Sequence, residues 1–159
     1  MVEKMEGNNL RFLQITFDLA RQAREKGNHP FGALLANPDG EVLLTAENTV
    51  VTDKDITGHA ETNLVRKAAK LYETEFLANC TLYTSTEPCP MCSGAIFWSN
   101  IRRVVFGLSQ EGLYAITGGG EDELILPCRE VFAHGNKSIK VIGPLLEEEA
   151  KTVHLAFWK

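Results

Sequence analysis

The chain has 159 residues, 44% of them hydrophobic, so it can bury a core of its own, and we expect one domain over residues 1–159. Its formal net charge of -5 disfavours a protein whose main task is to hold the phosphates of a nucleic acid. The sequence has neither an apolar run of membrane-spanning length nor an N-terminal leader pattern, so we expect a cytoplasmic protein that does not associate with membranes.

The first half of the chain predicts a helix, a hairpin and a second helix. Apolar residues recur at helical spacing over residues 9–26. The apolar runs 31–36 and 42–46 flank an Asn-Pro-Asp-Gly sequence, which predicts two antiparallel strands joined by a turn. A second apolar stripe predicts a helix over residues 59–72. The two stripes consist of Leu10, Leu13, Phe17 and Ala20 in the first helix and Ala60, Leu64, Ala68 and Leu71 in the second.

The second half of the chain alternates strands with helices. The predicted strands are 80–84, 103–107 and 139–142, and the predicted helices are 90–98 and 147–158. Three glutamates in the first turn of the last helix favour its dipole. Because strands that alternate with helices run partly parallel, the sequence predicts an α/β fold. Cys80 and Cys128 are expected to be buried apolar residues in a reducing compartment.

Three potential metal ligands stand in two short motifs. His59 begins a His-Ala-Glu run, and Cys89 and Cys92 form a Pro-Cys-Pro-Met-Cys run. A Cys-x-x-Cys at the start of a helix brings two sulfurs to one metal, and the positive end of the helix dipole favours the thiolate form. Three such ligands leave the fourth tetrahedral position of Zn²⁺ for a water, whose pKa then falls to about 7. The two motifs together predict an open zinc site.

Glu61 is the predicted acid/base group. It lies two residues after His59, so in the first turn of a helix it can point beside the metal and transfer protons. Two other uses of the motifs are a closed structural zinc site, completed by Cys80 or Cys128, and a thioredoxin-like redox pair. Neither of these needs a carboxylate at position 61, so we favour the catalytic interpretation.

These motifs, together with Pro30-Phe31-Gly32-Ala33 and Thr84-Ser85-Thr86-Glu87, resemble the cytidine and deoxycytidylate deaminase superfamily, on the branch of guanine deaminases and tRNA adenosine deaminases. The resemblance covers about residues 8–110. It implies a three-layer α/β/α fold with a five-stranded mixed sheet, a homodimer, and hydrolytic removal of an exocyclic amine with release of ammonia. A zinc-bound hydroxide is expected to attack the amine-bearing carbon while Glu61 shuttles protons.

The resemblance also implies contacts with the substrate. Asn48 would hydrogen-bond the base or sugar, Phe31 would stack on the ring, and Trp98 would line the pocket. Ala60 and Cys89 would present backbone groups. Each side chain has an ordinary structural alternative, because the Asn could form a turn and the two aromatic residues could belong to the core. Glu87 is expected to support the loop that carries Cys89 and Cys92, which we call the cysteine loop, and not to touch the substrate.

A small substrate is favoured over RNA. The basic residues form no dense stripe, and the segment where tRNA enzymes tend to be basic begins with three glutamates. Pro30-Phe31-Gly32-Ala33 and Trp98 favour a free purine such as guanine, or its nucleoside. Two alternatives are a tRNA adenosine (A-to-I) deaminase and a non-catalytic binding module in which zinc is only structural.

Two segments have no assigned role in the sequence. Guanine deaminases place a substrate-reading acid within residues 109–127, where Glu111, Glu121 or Asp122 could substitute, or none of them. The three glycines at 118–120 predict either a backbone that closes over a ligand or an ordinary flexible turn. Near the C-terminus, His154 precedes a Phe-Trp pair that could fold over a pocket in the same chain or in a partner.

Overall fold

A computed structural model describes residues 2–158, with side chains from residue 6 onward. The helices are α1 Val2–Glu25, α2 Ala60–Leu71, α3 Thr74–Leu77, α4 Pro90–Ser99, α5 Gln110–Thr117, α6 Cys128–Ala133 and α7 Glu147–Lys151. The strands are β1 Gly32–Ala36, β2 Val42–Glu47, β3 Thr81–Thr86, β4 Arg103–Leu108 and β5 Lys140–Ile142. Among the described residues, no helix combines the length and apolar character that crossing a bilayer requires.

The five strands form one mixed sheet in the order β2-β1-β3-β4-β5. β1 runs antiparallel to β2 and β3, whereas β3, β4 and β5 run parallel to one another. Parallel strands end at the same edge of a sheet, so the residues that follow β3 and β4 lie side by side. The backbone N–H of Glu87, just after β3, donates to the carbonyl of Leu108 at 2.7 Å. The candidate active site described below lies at this edge of the sheet.

Helices cover both faces of the sheet, as the alternation along β1 shows. Ala33 and Leu35 pack on the face covered by α2, α4 and α6, while Leu34 and Ala36 pack on the face covered by α1. The helix α1 approaches β1 closely, because a Cβ at Gly32 would lie 2.5 Å from the carbonyl oxygen of Thr16. The predicted three-layer α/β/α fold with a five-stranded mixed sheet is confirmed.

Two predicted core positions are wrong. Leu10 is 41% exposed and Leu71 is 63% exposed. Leu13, Phe17 and Ala20 are buried as predicted, but at the start of the stripe the buried residue is Asn9, which accepts a hydrogen bond of 2.9 Å from the Tyr83 hydroxyl. Leu71 is the last residue of α2, and its side chain points away from the core. The helix α1 also begins at Val2, earlier than predicted.

The prediction of a last helix over residues 147–158 is also wrong. The helix α7 ends at Lys151 and continues as a 3-10 turn, Thr152–His154. The backbone then reverses at Ala156, whose φ of 57° is left-handed. The short helices α3, α5 and α6 were not predicted, because four to eight residues are too few to show a helical stripe.

Candidate active site

The three predicted ligands lie at the N-termini of two packed helices. His59 is the N-cap residue of α2, and Cys89 is the N-cap residue of α4, with Pro90 at the first helical position. Neither residue uses its side chain to cap its helix. The ring of His59 and the sulfur of Cys89 therefore remain available as ligands. Cys92, in the first turn of α4, is fully buried.

The spacing of these ligand atoms fits a tetrahedral zinc. The Nδ1 atom of His59 lies 3.5 Å from the Sγ atoms of both Cys89 and Cys92. Zinc bonds of about 2.0 Å to nitrogen and about 2.3 Å to sulfur, at a tetrahedral angle, separate the two ligand atoms by about 3.5 Å. All three ligand atoms lie within 4.8 Å of one another. The residues present therefore form a group that can hold zinc, and two of them, His59 and Cys89, also line the cavity described below.

Of the two cysteines, Cys89 is the one whose electrostatics favour a cation. The hydrogen bond from the Cys92 thiol lowers the pKa of Cys89 to about 4, so Cys89 is a thiolate at neutral pH. The same bond, with burial, raises the pKa of Cys92. The Oγ1 atom of Thr62 lies 3.2 Å from the Cys92 sulfur and lowers its pKa. Sequence reasoning missed Thr62, although its place in the first turn of α2 puts it beside the ligands.

Glu61 is buried beside the ligand group, with 6% of its surface exposed. Burial raises the pKa of its carboxyl to about 7, and the negative charge of Cys89 acts in the same direction. A carboxyl whose pKa lies near the ambient pH can both accept and release a proton. The predicted position of Glu61, close to the metal ligands and lining the same cavity, is what a proton-transfer group requires.

Glu87 and Gln110 brace the cysteine loop. One carboxylate oxygen of Glu87 accepts a hydrogen bond from the backbone N–H of Gln110 and the other from that of Cys128, each at 3.0 Å. The side-chain amide of Gln110 donates to the carbonyl of Pro88 at 3.0 Å. These bonds join the loop before α4 to the first residues of α5 and α6. Glu87 therefore supports the loop that carries the cysteines, as expected. The part played by Gln110 was not predicted.

A cavity of about 510 Å³ opens over the ligands. Its size falls within the range of small-molecule sites, about 300–1,000 Å³. Beyond the motif residues, the cavity is lined by the loop before β1, by α5, by the loop that follows α5, and by the C-terminus. Those lining residues include His29, Phe31, Asn48, Leu113, Tyr114, Thr117, Gly120, Asp122, Glu123 and Trp158.

Asn48 and Phe31 lie where the sequence places them, on the cavity wall. The Oδ1 atom of Asn48 accepts a hydrogen bond of 3.1 Å from the backbone N–H of Val50, which is the turn-forming role. Within residues 2–158, the Nδ2 atom has no hydrogen-bond partner and remains a free donor at the cavity. Ala60 is fully buried and is not among the residues that line the cavity.

The predicted tryptophan wall is supplied by a different residue. Trp98 is 78% exposed near the end of α4, where the Lys137 ammonium lies 6.0 Å from its ring, and it does not line the cavity of this chain. Trp158 lines the cavity instead, with its ring centre 6.2 Å from that of Phe31. The sequence could not distinguish the two residues, because position 158 is placed by a chain reversal and not by a motif.

One of the three candidate acids reaches the cavity. Asp122 lines it, whereas Glu111 and Glu121 are exposed elsewhere. The neighbouring Glu123 also lines the cavity, but its carboxylate accepts hydrogen bonds from the Thr117 hydroxyl and the Gly119 backbone. Among the described residues of this loop, Asp122 is the cavity-lining acid whose carboxylate accepts no hydrogen bond.

Comparisons with known proteins agree with this geometry. The family model described as "Cytidine and deoxycytidylate deaminase zinc-binding region" matches residues 7–108. A probable cytosine deaminase of Schizosaccharomyces pombe is 42% identical over 157 residues, 98% of this chain and 95% of that protein. A guanine deaminase of Bacillus subtilis is 39% identical over 119 residues, 74% of each chain. A tRNA-specific adenosine deaminase of Bacillus subtilis is 36% identical over 141 residues, 88% of this chain and 82% of that protein.

A solved structure gives the same result for the fold. The guanine deaminase from Nitrosomonas europaea superposes with a TM-score of 0.76 at 27% identity, covering 89% of this chain and 80% of that one. The family match spans more than half of the chain and includes all three ligand positions. The protein therefore belongs to the cytidine and deoxycytidylate deaminase family, of which it carries the zinc-binding domain.

Proposed function

We propose that this protein is a zinc-dependent hydrolytic deaminase that removes an exocyclic amine from a free nucleobase or nucleoside and releases ammonia. A purine such as guanine is the favoured substrate. In this proposal His59, Cys89 and Cys92 hold the metal, and Glu61 is the catalytic acid/base. The proposal extends the family membership to a substrate class, and the lining of the cavity supports that step.

The charge of the cavity lining is the observation that carries the proposal. Among the described residues, no lysine or arginine lines the cavity, whereas four carboxyl groups do: Glu61, Glu87, Asp122 and Glu123. Phosphate groups bind where arginine, lysine or free backbone N–H groups face them. An uncharged base or nucleoside suits this lining better than a nucleotide or the anticodon of a tRNA does.

The polar and aromatic groups of the cavity suit a flat heterocycle. The free Nδ2 of Asn48 can donate to a ring nitrogen or carbonyl, and the free carboxylate of Asp122 can accept from a ring N–H or amino group. Phe31 and Trp158 supply aromatic surface on which a base can stack. A volume of about 510 Å³ accommodates a two-ring base.

Zinc bound by the three ligands would supply an activated water near neutral pH. Glu61, buried beside the ligands, would hold the proton of that water and deliver protons to the ring nitrogen and to the departing amine. Thr62 and the Glu87–Gln110 brace would keep the ligands in place, since groups that orient metal ligands tune metal binding.

Cytosine is the second candidate substrate. The observation that favours it is the match to the Schizosaccharomyces pombe relative, which extends over 98% of this chain and so includes the C-terminal segment. A one-ring base would leave more of the cavity to water than a purine would. The two bases therefore need a direct comparison.

The test is ammonia release by the zinc-loaded protein from guanine, adenine, cytosine, isoguanine, their nucleosides and a tRNA anticodon stem-loop, with Glu61→Gln as the blank. We expect turnover of a free base or nucleoside and none of the stem-loop. Turnover of the stem-loop alone would overturn the charge argument. Zinc binding without turnover of any compound would favour a non-catalytic binding module.

A homodimer is part of the proposal. Met91 and Trp98 lie seven residues apart on one face of α4, with Gly94 and Ala95 between them, so an apolar face of this helix reaches the surface. We expect Trp98→Glu to lower the mass measured by light scattering from dimer to monomer. Ile56→Glu, which changes an equally exposed apolar residue in the loop before α2, is the control. A wild-type protein that is monomeric would remove the dimer from the proposal.

A further inference from the structure

The last seven described residues, 152–158, form a segment that we call the C-terminal strap. It leaves α7 through the 3-10 turn and reverses at Ala156, in a left-handed conformation that is unfavourable for a non-glycine residue. Arg24 of α1 holds the strap, because its guanidinium donates to the carbonyl of Val153 at 3.1 Å and lies 5.4 Å from the ring centre of Phe157. The reversal brings Trp158 to the cavity.

A hydrogen bond within the strap fixes the indole ring. The Nε1 atom of Trp158 lies 3.0 Å from the Nδ1 atom of His154. The two ring planes are only 20° apart, with ring centres 6.1 Å from each other. An indole N–H can only donate, and His154 Nδ1 must therefore be the unprotonated acceptor.

The surroundings of His154 keep it in this form. The side chain is buried, with 1% of its surface exposed. Burial lowers its pKa to about 4, and the charge of Arg24 acts in the same direction. The neutral tautomer that accepts from Trp158 carries its proton on Nε2, and that atom has no partner within the described residues.

A buried N–H without a partner destabilises the folded state, because it loses its hydrogen bonds to water and gains none. A phenylalanine at position 154 would fill the same space without that cost, and it would pack equally against Phe31, whose ring centre lies 5.4 Å away. What histidine provides and phenylalanine cannot is an acceptor for the indole N–H. The hydrogen bond to Trp158 is therefore the physical reason for a histidine at position 154.

We infer that His154 is a positioning residue, which fixes the Trp158 indole as an aromatic wall of the base-binding cavity. This inference rests on the proposed function. The only polar atom of the indole already donates to His154. Trp158 can therefore contact a substrate only through the surface of its aromatic ring. Hydrogen bonds to the substrate would then come from other cavity groups, such as Asn48 and Asp122. The strap would favour substrates that have a flat, unsaturated ring.

The test uses the fluorescence of Trp158. The chain has two tryptophans, so Trp98→Phe leaves Trp158 as the single reporter. In that background we compare His154→Phe, which removes the acceptor, with His154→Asn, whose Oδ1 replaces the Nδ1 acceptor. We expect acrylamide quenching of Trp158 to rise about twofold in His154→Phe, because the indole is released toward water, and to return toward the parent value in His154→Asn. Equal quenching in all three proteins would overturn the inference.

The second readout is affinity for 8-azaguanine in zinc-loaded Glu61→Gln protein, where no turnover interferes. We expect His154→Phe to weaken binding about tenfold and His154→Asn to restore it. Increased quenching without weaker binding would show that Trp158 is positioned but is not a wall of the substrate site, and would also overturn the inference. Trp158→Phe, which removes the donor, should weaken binding to a similar extent if His154→Phe does not fold.

These readouts are separate from the test of the proposed function. Absence of ammonia release from the whole panel would count against the function while the fluorescence comparison still decides whether His154 fixes Trp158. If the parent protein does not bind 8-azaguanine, the result would count against a purine as the substrate. The affinities of the same two variants would then be measured for the base that the ammonia-release panel identifies.

Discussion

The two sides of the cavity are built in different ways. The metal side comes from two short motifs, each at the N-terminus of a helix, and all of its ligands lie within four residues of a helix start. The opposite side comes from α5 with the loop after it and from the C-terminal strap, two segments separated in sequence by α6, β5 and α7. The metal side can therefore be inferred from local spacing, whereas the substrate side depends on the whole fold.

This difference has a functional consequence. Changes on the metal side should affect every substrate equally, because they act on the metal or on proton transfer. Changes on the opposite side should alter the ranking of substrates, because they act on recognition of the ring. Four variants, in order of decreasing expected effect, test this division.

Replacement of Cys92 by alanine should have the largest effect. It removes a fully buried ligand, so we expect zinc content to fall close to zero and the thermal unfolding temperature to drop, because metal binding is coupled to folding. Elemental analysis and thermal unfolding measure both. Cys80→Ala, a buried cysteine outside the cavity, should retain its zinc. Full zinc occupancy in Cys92→Ala would contradict the ligand assignment.

Replacement of Glu61 by glutamine keeps the size of the side chain but removes its acid/base function. We expect activity toward every accepted substrate to fall by at least about a hundredfold, while zinc content and folding stay unchanged. Ammonia release and elemental analysis measure the two quantities, and Glu111→Gln, an exposed glutamate of α5, is the matched control. Loss of zinc in Glu61→Gln would identify Glu61 as a ligand.

Thr62→Val removes the hydroxyl that contacts the Cys92 sulfur and keeps the shape of the side chain. We expect zinc affinity to weaken by about tenfold, since groups around the ligands tune metal binding. A competitive chelator titration measures this, and Thr62→Ser should retain wild-type affinity. If valine and serine give the same affinity, the hydroxyl does not tune the metal.

Asp122→Asn tests the opposite side of the cavity. We expect KM to rise by up to about tenfold for bases that offer a ring N–H, with little change in kcat, because the carboxylate is a recognition group and not a reacting one. Steady-state kinetics on two bases measure the change in ranking. Glu121→Gln, which alters the exposed neighbouring acid, should leave the kinetics unchanged. An equal fall in kcat for all bases would break the division between the two sides.

The metal ligands were predictable for a clear reason. The Cys-x-x-Cys spacing is local and pairs Cys89 with Cys92, whereas His59 lies 30 residues before Cys89 and was grouped with them because the two motifs occur together. The resemblance also predicted the mixed sheet and the family correctly. The strand positions followed from short apolar runs between turn residues.

The substrate side was less predictable, and Trp98 and Trp158 show why. Both tryptophans follow apolar residues in the sequence, and only the reversal at Ala156 brings position 158 to the cavity. A left-handed alanine has no sequence signature, because glycine or asparagine is the usual residue in that conformation. The same reversal prevents the predicted helix from extending to residue 158, although α7 itself already ends at Lys151.

By itself, the sequence determined the α/β class and which residues are proposed to hold zinc, with Glu61 beside them, because each motif is defined by spacing within one turn or one strand. Only the tertiary structure decided which acid of the loop after α5 faces the cavity, which tryptophan forms its wall, and that His154 supports that tryptophan. Those relations join segments that are separated by tens of residues, and packing against the sheet and α1 alone fixes their distances.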